Sequence, residues 1–353
     1  MSGDAVKLSL CMIVKNEEQI LQQSLCKVGR YVDEMIVVDT GSTDRTKEIA
    51  QSCGSKVYDS PWCDDFSAAR NFSLEKASCD WVLVLDADEI ISDFRVESIQ
   101  NVIKAESSVV GRIKLINIVS DAAGEKRISE RISRLFNRKR FHYEGVIHEQ
   151  LVQNEGNPFK TIPVEITAEH SGYTQEVLQR TDKIARNIRM LEKALKKSPE
   201  DAYLLYQLGK VYYLAKKYSE AVTYFKRALR LSFNFSLEYV ENLVETYGYA
   251  LINSGSYAEA LCLKNYELYY ADSTDYLFLM GIVYMNNGGF SQAIEQFLRC
   301  IDNKEGKVEG INSYLPKYNI AVIHECLGHK AEAVSYYLQC GNYPAALKRL
   351  RKI

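Results

Sequence analysis

Four times after residue 200 the chain sets a small residue in an apolar segment and an alanine twelve positions later: Gly209 and Ala221, Gly248 and Ala260, Gly281 and Ala293, Ala321 and Ala333. Larger residues accompany these pairs. Leu205, Leu208 and Tyr212 surround Gly209, with Phe225 and Ala228 beyond Ala221. Leu251 follows Gly248, Tyr284 precedes Phe297 and Cys300, and His324 precedes Tyr337 and Cys340. Small residues at both points let two helices approach closely. Stacked copies of such a pair bury one continuous core, an arrangement with no β-structure in it. Short turns such as Ala215-Lys-Lys and Asn253-Ser-Gly-Ser256 join the paired helices. Residues 180–197 read as a preceding helix that ends before Pro199.

The N-terminal half has a different rhythm. Residues 8–14 read as a strand, 17–28 as a helix and 34–38 as a strand. Residues 43–53 read as a helix with Ser42 or Thr43 as its cap and Asp44 in the first turn. A short strand at 56–58 precedes a helix at 66–76, packed through Ala68, Ala69, Phe72 and Leu74, and a strand at 81–85. Short strands alternating with helices predict a mostly parallel sheet covered on both faces. From residue 90 onward a helix at 96–106, an extended segment at 109–119, a polar loop at 120–126 and strands at 131–137, 146–152 and 162–168 predict mixed strands that close over a site.

In parallel sheets ligands bind beyond the carboxyl ends of the strands. Three polar clusters fall there: Val14-Lys-Asn-Glu17, Asp39-Thr-Gly-Ser-Thr-Asp44 and Asp86-Ala-Asp-Glu89. The last follows the apolar run Trp81-Val-Leu-Val-Leu85. If the strand continues through Asp86 and Asp88, both carboxylates share one face. If it stops first, they lie at a strand-to-loop edge. Oxygen ligands of this kind suit a divalent ion bridging a diphosphate; taken alone, the same residues also suit a solvated turn. Further along, His142, Glu144, His148, Glu149 and His170 add groups that can ligate or transfer protons, the histidines being three of five in the chain.

Composition removes several classes. The chain has 353 residues, enough for two domains, placed at 1–178 and 179–353. Its formal net charge of -2 gives no general attraction to nucleic acid or anionic lipid. No apolar stretch approaches the roughly 20 residues of a membrane span, and residues 8–14 read as a core strand rather than a signal segment. Nine cysteines, none at C-x-x-C spacing, read as reduced thiols in a cytoplasmic protein without a zinc cluster. Neither G-x-G-x-x-G after the first strand nor a P-loop motif is present.

The repeats match the 34-residue tetratricopeptide pattern, with a few extra residues before the second and fourth copies. The N-terminal half resembles the family 2 glycosyltransferases of the GT-A fold over about residues 6–175. Met12-Ile-Val-Lys-Asn-Glu-Glu18, Val37-Val-Asp-Thr-Gly-Ser-Thr-Asp44, Phe66-Ser-Ala-Ala-Arg-Asn71 and Leu85-Asp-Ala-Asp-Glu89 carry the match. The combination with repeats is similar to bacterial peptide and protein glycosyltransferases, the bacteriocin S-glycosyltransferases among them. The resemblance implies an α/β GT-A domain with a mixed central sheet, joined to an all-α tetratricopeptide solenoid.

That family uses nucleotide-activated sugars, so the resemblance implies a UDP-sugar donor with Mn²⁺ or Mg²⁺. Val14 and Asn16 would lie by the base or ribose, Asp39 by the base, and Arg70 by the base or diphosphate. Lys15, Glu17 and Ala87 complete the donor-contacting segments. Asp88 would coordinate the ion, Asp86 would bind ribose or reach the ion through water, and His170 would be a third metal ligand. The family's usual acidic base motif is absent. Glu149, in Gly145-Val-Ile-His-Glu149, is the replacement candidate, with His148 beside it and Glu89 as the alternative. The expected chemistry is a single inverting displacement onto a peptide or protein side chain. The repeats would grip the acceptor or hold a homodimer, and Tyr203, Tyr206, Tyr213, Tyr239, Tyr247, Tyr269, Tyr270 and Tyr276 would divide between packing and contact. Competing readings are a noncatalytic sugar-nucleotide-binding adaptor, a transferase acting on a glycan or lipid-linked acceptor, and a nucleotidyltransferase. The last lacks a glycine- and base-rich opening loop.

Overall fold

The computed structural model describes residues 7–105, 107–121, 124–173 and 183–353. The chain divides into two compact units, residues 1–182 and 183–353. The boundary expected after residue 178 lies outside the described residues.

In the first unit, β1 (Leu8–Val14), β2 (Glu34–Asp39), β3 (Lys56–Asp59) and β4 (Trp81–Val84) are parallel, in the order β3-β2-β1-β4. Successive residues of β1 and β4 enter opposite cores. Leu8, Leu10 and Met12 join Trp81 and Leu83 against Leu21, Leu25 and Val28 of α1 (Leu21–Val28). Cys11, Val82 and Val84 join Leu74 of α3 (Phe66–Lys76). Burial on both faces is why these strands read as unbroken apolar runs rather than as alternation.

The sheet continues with β5 (Glu89–Phe94), β6 (Val109–Asp121), β7 (Gly124–Asn137) and β10 (Lys160–Tyr173), giving the order β3-β2-β1-β4-β7-β6-β10-β5. β7 is antiparallel to β4 and β6, and β5 is antiparallel to β10, while β6 and β10 are parallel. The expected change to mixed strands is therefore present. A helix, α4 (Val96–Ala105), follows β5, and a small hairpin of β8 (Phe141–Glu144) and β9 (Gln150–Gln153) stands apart from the sheet.

Four local expectations change. Of the polar loop expected at 120–126, the described residues instead extend the antiparallel β6–β7 pair, which runs from Gly111 and Leu135 out to Asp121 and Gly124. Backbone hydrogen bonds carry such an arm, so apolar alternation does not mark it. The strand at 146–152 shrinks to β9, because Gly145 at φ 100° and His148 at φ 51° turn the chain first. The first helix starts at Leu21 rather than 17. The second, α2 (Thr46–Ser52), starts at Thr46 with no side-chain cap from Arg45. Instead Asp44 Oδ1 accepts from the Thr46 amide at 3.0 Å, ahead of the helix rather than within its first turn. α3 matches expectation at both ends, and Asp65 caps it by accepting from the Ala68 amide at 3.0 Å.

The second unit is a run of helices. Lys183–Lys197 comes first, followed by the pairs Ala202–Leu214 with Tyr218–Leu229, Thr274–Asn286 with Phe290–Ile301, and Tyr314–Cys326 with Lys330–Leu338, and by Pro344–Leu350. Between the first two of these pairs, Glu238–Asn253 faces a broken partner: Tyr257–Ala260, a 3-10 turn at Leu261–Tyr266, and Glu267–Tyr270. The four alanines of the repeat are fully buried. Each pair turns through a left-handed residue seven positions after its small residue: Lys216, Gly255, Gly288 and Gly328. The small residues face aromatic or aliphatic side chains of neighbouring helices. A Cβ on Gly209 would meet Phe225 at 2.4 Å, and one on Gly281 would meet Phe297 at 2.5 Å. Tyr206, Tyr247, Tyr270 and Tyr276 are buried, Tyr203, Tyr213 and Tyr239 are half-buried, and Tyr269 is exposed, so packing claims half of the tyrosines singled out. Among the described residues no helix is long and apolar enough to cross a membrane.

Candidate active site at the carboxyl edge of the sheet

The pairing of Val14 with Asp39 and of Cys11 with Val84 brings the ends of β1, β2 and β4 side by side. The loops that leave β1 and β2 are laced together. Asn16, at φ 55°, accepts from the Thr43 amide at 2.8 Å and donates its own amide to Ser42 Oγ at 2.9 Å. The Glu17 amide donates to Thr46 Oγ1 at 2.8 Å. Lys15 and Asn16 are exposed and Val14 is buried. The side chain of Asp39 is fully buried. Its Oδ1 accepts from the Gly41 and Ser42 amides at 2.9 and 2.8 Å, and its buried Oδ2 has no partner. A buried carboxylate oxygen without a donor is costly, and a ligand N–H would satisfy it.

β4 stops at Val84, so both acids of Asp86-Ala-Asp lie beyond it, at a strand-to-loop edge. They have different partners. Asp86 Oδ1 accepts from Arg70 Nη2 at 2.8 Å and Oδ2 from Arg134 Nη2 at 2.9 Å. Burial alone would raise the Asp86 carboxyl, but the two guanidiniums hold it well below the usual carboxylate range. Asp88 Oδ2 instead meets His170 Nε2 at 3.2 Å, while His170 Nδ1 contacts Asn117 Oδ1 at 2.8 Å. Burial pulls the His170 imidazole down, yet the hydrogen bond and charge of Asp88, with Glu89 and Asp86 nearby, leave it raised.

Glu149 lies within hydrogen-bonding distance of Arg70 Nε, and its side chain is 10% exposed. Glu89, the alternative base, is 3% exposed; it accepts from Arg134 Nη2 at 2.5 Å and from the Asp86 amide at 3.0 Å. Both Glu89 oxygens are engaged in this way, whereas the Arg70 contact of Glu149 is made by Oε1. α3 supplies Arg70, and Asn71 beside it is clamped to Tyr143 by two hydrogen bonds of 2.8 and 2.9 Å that tie α3 to β8. His148 occupies the left-handed turn just before Glu149. His142 lies outside this cluster, pairing with Glu144 at 3.0 Å and Asn154 at 2.8 Å.

The edge thus gathers Asp86, Ala87, Asp88, Arg70, Glu149 and His170, with Val14, Asn16 and Asp39 on the neighbouring strands. Among the described residues no group of three His, Cys, Asp or Glu side chains is placed to hold a metal ion. Asp88 and His170 could supply two ligands, while Asp86, expected to bind ribose or to reach the ion through water, has both oxygens on arginines. Two such ligands suit an ion that completes its shell with phosphate oxygens and water, the usual pattern for Mg²⁺ with a phosphorylated substrate. Sequence reasoning missed Arg134, Tyr143 and Asn117. Arg134 left one weak sign, a cation next to the apolar pair Leu135-Phe136 in the expected strand, since a buried arginine calls for buried acids.

Residues 9–151 match the model for glycosyl transferase family 2, and residues 202–235 match the tetratricopeptide repeat. A tetratricopeptide repeat-containing protein of Synechococcus elongatus is 39% identical over 212 residues, covering 58% of this chain and 51% of that protein. The prophage-derived glycosyltransferase SunS of Bacillus subtilis is 29% identical over 249 residues, covering 69% of this chain and 58% of that protein. The chain therefore spans little more than half the length of these relatives. A solved tetratricopeptide-repeat protein, YrrB, is 21% identical over 50% of this chain and 88% of its own, with a TM-score of 0.41.

Proposed function

We propose that this chain, a family 2 glycosyltransferase domain joined to tetratricopeptide repeats, moves a sugar from a UDP-sugar to a peptide or protein side chain, with Mn²⁺ or Mg²⁺ as cofactor and inversion at the anomeric carbon. The observation that carries this reading is the partition of the acids at the sheet edge. Asp86, Glu89 and Glu149 are each engaged by arginine, while Asp88 faces His170.

Each group then has a task. Asp39 Oδ2 accepts the imide N–H of uracil beside Val14. Asp86, held by Arg70 and Arg134, orients the ribose. Asp88 and His170 would hold the divalent ion, which when bound neutralises charge on the departing diphosphate. Glu149 takes the acceptor proton on Oε2, since Oε1 is committed to Arg70. A thiol acceptor, whose reference pKa is about 8.5, would need less help from a base than a hydroxyl. The repeats recruit the polypeptide acceptor or pair two copies of the chain. Against the adaptor reading, the full set of Asn16, Asp39, Arg70, Asp86 and Asp88 is present at one edge.

Calorimetry with UDP and GDP, each with and without Mn²⁺, tests the donor site. UDP binding should strengthen with Mn²⁺, lose that gain in Asp88→Ala, and weaken in Asp39→Ala. Equal affinity for the two nucleotides, or no response to Mn²⁺, would sink the donor assignment. Turnover of UDP-sugars then separates an enzyme from an adaptor.

A further inference from the structure

Asp86 to Glu89 forms a turn closed in three ways. The Glu89 amide donates to the Asp86 carbonyl at 3.0 Å. The Asp86 amide donates back to Glu89 Oε2 at 3.0 Å. Arg134 Nη2 spans the first and last side chains, 2.9 Å from Asp86 Oδ2 and 2.5 Å from Glu89 Oε1. Ala87, 4% exposed, is packed inward at the centre of the turn, and Asp88 is the other central residue.

Arg134 reaches this turn because β7 runs antiparallel to β4. Leu83 lies opposite Leu135, so the next residue back along β7 is level with the end of β4. Its side chain is 12% exposed, and both acids it touches lie within the turn. His170 is fixed separately, by Asn117 on β6, whose amide donates to Glu130 Oε1 at 2.6 Å. The two halves of the Asp88–His170 pair therefore have independent supports. Asn117 orients the imidazole, and Arg134 sets the turn that presents the carboxylate. Without the guanidinium, Asp86 and Glu89 would repel one another across the turn.

We propose that Arg134 is a positioning residue for the binding of a divalent cation with a nucleoside diphosphate, acting through the Asp86–Glu89 turn on Asp88. This rests on the reading of Asp88 and His170 as the cation's protein ligands. One guanidinium nitrogen, Nη2, meets both carboxylates, so a lysine, which keeps the charge but lacks the plane that fixes that nitrogen, should restore the contact only in part. Outer-shell partners of this kind usually change metal affinity by 10- to 100-fold when lost.

Calorimetry on the full chain, titrating UDP in the absence and presence of Mn²⁺, provides the test. The proteins are wild type, Arg134→Lys, Arg134→Met and Arg134→Met with Glu89→Gln. Tryptophan fluorescence during thermal unfolding reports whether each variant is folded. UDP binding without Mn²⁺ should weaken by a smaller factor than the Mn²⁺-dependent gain, because Arg70 still holds Asp86 Oδ1 and with it the ribose contact. The Mn²⁺-dependent gain should fall by about tenfold or more in Arg134→Met and by a smaller factor in Arg134→Lys. The double variant should be no worse than Arg134→Met, because both ends of the missing contact are gone. Arg134→Lys keeps the buried charge and so serves where Arg134→Met does not fold. A wild-type Mn²⁺ gain in a folded neutral variant, or in Arg134→Lys where neither neutral variant folds, overturns the positioning role. Absence of that gain in the wild type overturns the donor-site reading first.

Discussion

Replacing Glu34 by glutamine should expose an acid-sensitive clasp in the first unit. Glu34 Oε1 accepts from Ser9 Oγ at 2.6 Å, Ser78 Oγ at 2.8 Å and the Ser78 amide at 2.5 Å, and Oε2 accepts from Lys56 Nζ at 2.7 Å. The carboxylate is 8% exposed. Burial pushes its pKa up, but these donors outweigh burial and bring it from 4.5 down to about 2. Such a displacement corresponds to roughly 3 kcal/mol. Lys56 is the largest of these donors, but it is more than half exposed and screened by solvent, so that figure is an upper bound. The sign follows from the depressed folded value. The stabilisation is complete above pH 4.5 and is lost as pH falls toward 2. Glutamine mimics the protonated acid, so Glu34→Gln should be about 1–3 kcal/mol less stable than wild type at pH 7. That gap should close as the pH is lowered from 4.5 to 2. Urea unfolding followed by tryptophan fluorescence isolates the effect, because both tryptophans, Trp62 and Trp81, belong to the first unit. A gap that stays constant between pH 7 and pH 3 would refute the reasoning.

Two further perturbations address the base and the repeats. Glu149→Gln should lower the transfer rate by about 10²-fold or more, with little change in UDP affinity; an unchanged rate across the accessible pH range would remove Glu149 as the base. Gly281→Ala, which in an isolated helix would gain about 1 kcal/mol, should instead cost about 1–3 kcal/mol, because the new methyl would stand 2.5 Å from the Phe297 ring. Far-UV circular dichroism during thermal unfolding of the full chain would show it, and a raised midpoint would mean that Phe297 yields.

Much of this architecture was legible in the sequence, because its signals are local. β1 and α3 follow from an apolar run and from a helical pattern through Ala68, Ala69, Phe72 and Leu74, features that a few adjacent residues carry. The repeats were legible because each pair needs a small residue, a turn and an alanine at fixed spacing, and close packing allows little else there. The placement of Asp86 and Asp88 just beyond a strand also followed from the run that precedes them. The β6–β7 arm was not legible, since backbone pairing holds it and side-chain alternation is not required. The division of labour among the acids was hidden as well. Asp86 and Asp88 look alike in the chain, yet one meets Arg70 and Arg134 while the other meets His170, 82 residues away. Electrostatics depends on distance in space, and only the sheet order, which sets β7 against β4 and β10 beside β6, determines which charges share a low-dielectric pocket.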